Sequence, residues 1–115
     1  MQVDIQSLGF SLTPALSAYA RKRIDYKLGF ASIRISRLVV RFSDINGSRG
    51  GNDKCCLIEL RVKGASDIVI EDVEEDLYVA IDRAIERAKR ALVRRLGVER
   101  KIARPQEKGG SDETA

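Results

Sequence analysis

Leu77, Ile81, Ala84, Ile85, Ala88 and Leu92 recur at three- and four-residue spacing inside a stretch, Asp76 to Lys101, that no proline interrupts. At about 100° per residue these positions share one face of a helix. A helix that long cannot leave such a face in water, so the rest of the chain has to supply a layer for it to lie on. Nearly opposite the apolar face, Arg83, Arg87, Arg90 and Arg94 project from a strip roughly 60° wide. Asp82 and Glu86 fall on the flank between the two, where Lys89 or Arg90 of the same helix is expected to pair with them without neutralising the stripe. One side of this helix is core and the other suits a polyanion.

The layer it needs is written as four alternating segments. Met1 to Ser7 sets Val3 and Ile5 against Gln2, Asp4 and Gln6, and Gly9 ends the alternation. Ser36 to Ser43 turns Leu38, Val40 and Phe42 inward, with Arg37, Val39 and Arg41 outward; Cys55 to Lys63 turns Cys56, Ile58, Leu60 and Val62 inward, with Leu57, Glu59, Arg61 and Lys63 outward. These two read as a hairpin. Their connection, Asp44 to Lys54, is rich in glycine and asparagine but lacks the strand-to-helix setting of a phosphate loop, so it reads as a hairpin tip, with Arg49 and Lys54 available to RNA. Gly64 and Ala65 turn the chain into a fourth strand, Asp67 to Val73.

Between the first two strands, Thr13 and Pro14 form a helix start: the hydroxyl caps free amides and the ring presets the first helical residue. Leu16, Ala20, Ile24 and Leu28 then recur every four residues down to Gly29, with Arg21, Lys22, Arg23 and Lys27 on the flanks and Tyr19 and Tyr26 expected to pack at the margin. The order is βαβββα. One-sided helices and strands with one apolar face predict an α+β fold, a two-layer sandwich with a four-stranded mixed sheet and both helices packed on one face. The first two strands, joined through a helix, are expected to be parallel and the remainder an antiparallel meander. At 115 residues the chain allows one domain, placed at 1–103; 104–115, polar and carrying Pro105, Gly109 and Gly110, reads as a disordered tail.

Composition excludes much chemistry. There is no histidine, so the commonest metal ligand and general base is missing and no Ser-His or Cys-His nucleophile can be assembled. Cys55 and Cys56 are neighbours on a strand and point to opposite faces, which disfavours a shared metal or disulfide; burial of at least one is expected. The acids between Asp67 and Asp76 read as an exposed strip that favours the following helix N-terminus, not as a catalytic pair. The expectation is therefore a protein that is not an enzyme, with no metal, cofactor or small-molecule substrate. No apolar run reaches the roughly 18 residues of a membrane span, and no secretory signal opens the chain; the expected location is the cytoplasm.

Charge is segregated along the chain. Arg21, Lys22, Arg23, Lys27, Arg34, Arg37 and Arg41 face a single acid, Asp25, whereas Asp67, Glu71, Asp72, Glu74, Glu75 and Asp76 meet no base. With both helices on one side of the sheet, Lys22, Arg23, Lys27, Arg83, Arg87, Arg90 and Arg94 form one cationic surface, the expected RNA-binding site.

The opening Met-Gln-Val-Asp-Ile-Gln, the helix start Leu12-Thr13-Pro14-Ala15-Leu16 and above all Asp76-Leu77-Tyr78-Val79-Ala80-Ile81-Asp82 before a basic helix resemble the hibernation-promoting factor and ribosome-associated inhibitor family, also called sigma-54 modulation proteins. The resemblance spans about Met1 to Lys101. It implies the βαβββα fold and binding to 16S rRNA of the small ribosomal subunit, in the channel of messenger and transfer RNA, so that translation halts under stress. It also implies that basic residues of both helices touch rRNA. Two departures stand out: Gly47 to Lys54 is longer than the family's usual turn, and the dimerisation domain of the long form is absent. The chain thus resembles the short form, is expected to be a monomer and is not expected to pair ribosomes through that domain. Two other readings remain open, a general double-stranded RNA-binding module and a protein-interaction adaptor that modulates a transcription factor through Asp67 to Asp76 or the outer sheet face.

Overall fold

The computed structural model describes residues 1–45 and 53–103. The elements run β1 (Gln2–Leu8), α1 (Pro14–Leu28), a 3-10 turn (Gly29–Ala31), β2 (Ile35–Asp44), β3 (Lys54–Val62), β4 (Ile68–Glu74) and α2 (Leu77–Ala103). The strands form a four-stranded sheet in the order β1-β2-β3-β4. β1 is parallel to β2, Val3 opposite Leu38 and Ile5 opposite Val40, and the other two pairings are antiparallel, with Val40 opposite Ile58 and Ile58 opposite Ile70. This is the mixed sheet that the order of periodicities predicts.

Local chemistry starts both helices. The Thr13 hydroxyl accepts from the Leu16 amide at 3.1 Å and Pro14 occupies the first turn; a cap of this kind contributes about 1 kcal/mol. Asp76 does the same for α2, its carboxylate accepting from the Tyr78 amide at 2.6 Å and its carbonyl from the Ala80 amide at 2.9 Å. Gly64 has φ +75°, the left-handed conformation that lets the turn from β3 to β4 close without a Cβ penalty.

The core lies between sheet and helices. Leu16, Ala20, Ile24 and Leu28 of α1 and Ala80, Ile81, Ala84, Ile85, Ala88 and Leu92 of α2 are buried together with Leu38, Val40 and Phe42 of β2 and Cys56, Ile58 and Leu60 of β3. α2 lies over β3 and β4 and against α1. Alanine at four buried helical positions keeps the side chains between the two helices short.

Three details depart from simple alternation. β2 begins at Ile35, and a bulge between Ile35 and Arg37 puts Ile35 and Leu38 on the same face although they are three apart. β4 is shifted to end at Glu74, so Ile68, Ile70, Asp72 and Glu74 share the helix-facing side while Val69, Glu71 and Val73 face outward. The acids expected to form one exposed strip are therefore split between two faces. Cys55 and Cys56 are both buried free thiols on opposite faces. Burial pushes both thiols up, with the Glu71 carboxylate, 3.3 Å from Cys55 Sγ, adding to the effect there. The expected tail, 104–115, and most of the Gly47 to Lys54 loop lie outside the described residues.

Candidate nucleic-acid interface

α1 and α2 lie side by side, which brings the basic residues of both helices to the helix layer of the sandwich. Their surroundings differ, and position around each helix explains the differences. Arg23 and Lys27 flank the apolar face of α1 on the side toward α2. Arg23 Nε donates to Asp82 Oδ1 at 3.1 Å, Tyr19 Oη donates to the same carboxylate at 2.8–2.9 Å, and Lys27 Nζ meets Glu86 Oε2 at 2.6 Å. Asp82 and Glu86 thus pair across the helix seam, not with Lys89 or Arg90 of their own helix as the sequence spacing suggests. Tyr19 stacks edge-on against Tyr78 with centroids 5.0 Å apart, locking the two helix starts together.

On the opposite flank of α2, the helix-facing acids of β4 hold the other half of the stripe. Arg83 Nε lies 3.5 Å from Glu74, and Arg87 donates to the Glu71 carbonyl at 2.7 Å and lies 3.5 Å from Asp72 Oδ1. A hydrogen bond to Asp72 holds the Glu74 carboxyl above the usual carboxylate range, and Asp72 Oδ2 is buried without a donor. Arg90 joins these residues, with Asp82 and Glu86, around a cleft of about 330 Å³. Lys22, Arg90 and Arg94 make no ion pair or hydrogen bond among the described residues and project into solvent. The surface is therefore cationic on both helices, divided by the seam acids Asp82 and Glu86 and bounded beyond α2 by those of β4, with Lys22, Arg90 and Arg94 as its unpaired charges.

Glu86 reports on the seam. Its hydrogen bond from Lys27 holds it below the usual carboxylate range, helped by the positive charges of Lys89 and Arg90. A carboxylate lowered on folding contributes stability above its unfolded value and loses it as pH falls through its folded value. Glu86→Gln is expected to lower Tm by a few degrees at most near neutrality. The difference from the parent should vanish in acid below the folded value, in thermal melts recorded across pH.

The sequence also puts arginines elsewhere. Arg37, Arg41 and Arg61 line a smaller cleft, about 150 Å³, on the open face of the sheet, opposite the helices. Arg37 is paired there with Asp4 at 2.6 Å and Arg41 Nε donates to Gln6 at 3.2 Å. The basic run Arg21 to Arg41 is thus divided between two faces of the molecule. Tyr26 does not pack at the helix margin as expected: it is 77% exposed, and Phe30, which no periodic pattern marks, is 60% exposed.

Among the described residues, no helix is long and apolar enough to cross a membrane and no cluster of His, Cys, Asp or Glu could hold a metal. No curated protein matches the chain in sequence. Solved structures share its fold. A ribosomal subunit interface protein from Coxiella burnetii has 21% identity and a TM-score of 0.70, covering 84% of this chain and 99% of its own. The N-terminal domain of Thermus thermophilus Protein Y has 22% identity and a TM-score of 0.66, covering 82% and 98%. The model of the sigma 54 modulation protein / S30EA ribosomal protein family matches residues 3–100, from the first strand to the far end of the basic helix, and the chain belongs to that family.

Proposed function

We propose that this protein is a ribosome-associated factor that binds 16S rRNA of the small subunit in the messenger and transfer RNA channel and inhibits translation. The observation that carries the reading is the cationic surface across two adjacent helices, with Lys22, Arg90 and Arg94 unpaired among the described residues, in a family named for ribosomal association. Lys22, Arg90 and Arg94 displace counterions from rRNA phosphates, and Arg23, Lys27, Arg83 and Arg87, already oriented by acids, exchange those partners for phosphate on contact. Before contact the acids limit the freedom of these side chains, which lowers the ordering cost of binding. The folded domain, 1–103, acts as a monomeric plug: it excludes template and adaptor RNA by occupying their space and needs no chemistry of its own. The name of the Coxiella structure, a ribosomal subunit interface protein, supports the same placement.

Sucrose-gradient sedimentation with purified small subunits at increasing salt tests this. The protein should travel with the subunit at low salt and leave it steeply as salt rises, and it should slow a purified translation system over the same range. Competition by free RNA duplex as strong as by subunits would favour a general duplex-binding module, and salt-insensitive capture by a protein without RNA would favour an adaptor.

A further inference from the structure

The outer side of α1 near its C-terminus is not polar. Tyr26 is 77% exposed, Phe30 in the following turn 60% and Ile33 82%, so three large apolar side chains lie in water within eight residues. Tyr26 and Phe30 are four apart, and both rings sit among cations. The Arg23 guanidinium carbon is 6.0 Å and Lys27 Nζ 5.8 Å from the Tyr26 ring centre; Lys89 Nζ, reaching over from α2, is 5.9 Å from the centre of Phe30. The rings therefore stand beside Arg23, Lys27 and Lys89, with Tyr26 one turn beyond Lys22 on α1.

We propose that Tyr26 and Phe30 form a stacking platform for unpaired bases of the RNA strand whose phosphates the neighbouring lysines and arginines neutralise. This rests on the RNA-binding reading above and assigns it a base-contacting part. Lys89 makes no ion pair or hydrogen bond among the described residues, so an apolar protein surface laid on Phe30 would strip water from its head group without returning a partner charge, and on Tyr26 it would bury two ion pairs, Arg23 with Asp82 and Lys27 with Glu86. A single strand of nucleic acid satisfies both features at once, since each nucleotide carries a flat π-face and an anionic group, and such stacking tolerates any base sequence. Duplex RNA, with its bases already stacked inside, cannot use the rings, so the platform favours loops and splayed-out bases over helices.

The test compares the full chain with Tyr26→Ala/Phe30→Ala for binding to small subunits, to protein-free 16S rRNA and to poly(A), each over a salt series. Truncating exposed rings leaves the fold intact, which a thermal melt checks. About tenfold weaker binding to all three RNAs at every salt concentration, with the slope of log affinity against log salt unchanged, is expected, because stacking releases no counterions. A second arm places the chain's first tryptophan at the platform as Tyr26→Trp. Its fluorescence should be quenched by poly(A) but not by inorganic polyphosphate, which has the charge and lacks the bases. Parent-like affinity of the double variant for poly(A), or equal quenching by polyphosphate, overturns the platform. Weakening on intact subunits alone assigns the rings to a ribosomal protein and also overturns it. Failure of the parent to bind subunits, with poly(A) quenching intact, overturns the ribosomal reading and leaves the platform standing.

Discussion

Arg90→Glu with Arg94→Glu is expected to weaken small-subunit binding by at least about a hundredfold at moderate salt, enough to remove the protein from subunit fractions of a gradient. Neither arginine makes an ion pair or hydrogen bond among the described residues. Reversal therefore breaks no hydrogen bond; at position 90 it removes a positive charge that helps hold Glu86 ionised, a cost that a thermal melt of Arg94→Glu alone beside the pair isolates, and it replaces two phosphate partners with two repulsive charges. The salt dependence of what binding remains should also fall, by about 0.7 to 0.9 in slope for each phosphate that is no longer neutralised. Arg87 is the wrong choice for such a test although it lies in the same stripe. Its guanidinium is bonded to the Glu71 carbonyl and faces Asp72, so a glutamate there would add a third carboxylate beside Asp72 and Glu74 and confuse a folding defect with a binding defect. The matched control is Arg61→Glu with Lys63→Glu. Both residues are exposed at the end of β3, away from the helix layer, and the same charge change there should weaken binding less than about tenfold. Parent-like melts with binding abolished only for the α2 pair would tie affinity to the helix face and not to net charge.

Phe42→Ala is expected to reduce stability by about 3–5 kcal/mol, the range for removing a fully enclosed aromatic side chain. Phe42 is among the largest side chains with no exposure, in the middle layer between sheet and helices. For a domain of this size that corresponds to a fall in Tm of roughly 15 °C or more, readable by circular dichroism. Ribosome binding should disappear in step with unfolding, since it is the shared sheet that keeps two separate basic helices in one plane. Tyr26→Ala, by contrast, removes an aromatic of similar size from solvent and should shift Tm by little. The pair of variants separates the side chains that hold the helices in place from those that face a partner.

How much of the molecule is legible in its sequence depends on whether the information is local. The long apolar repeat of α2, the Thr13 and Asp76 caps and the alternation of β2 and β3 each depend on neighbours in sequence, and they predict the elements, the topology and most of the core. The charge partners are not legible, because they are set by packing. Asp82 and Glu86 look from their own helix like partners for Lys89 and Arg90, yet α1 approaches on that flank and brings Arg23 and Lys27 closer. The acids before α2 look like one strip, yet the pleat of β4 sends Asp72 and Glu74 beneath α2 and Glu71 to the other side, where it accepts from Cys55. Alternation is the signal that separates them once the strand is started one residue later. Tyr26 departs from expectation for a related reason: on α1 it lies well away from Leu16, Ala20, Ile24 and Leu28, and helical spacing counted from those four puts it outward.

The central claim is that the helix layer, and not the open sheet, faces 16S rRNA inside the channel. Site-directed hydroxyl-radical cleavage tests it most directly. The native thiols are buried with their pKa values raised, so an iron chelate can be tethered selectively at Val93→Cys on the exposed side of α2 or at Val69→Cys on the open face of the sheet, both well exposed in the parent. The account predicts strong cleavage of 16S rRNA along the messenger and transfer RNA channel from position 93, weaker cleavage from position 69, and loss of both when messenger and transfer RNA are bound first. Stronger cleavage from position 69, or cuts that lie outside the channel and survive that competition, would contradict it.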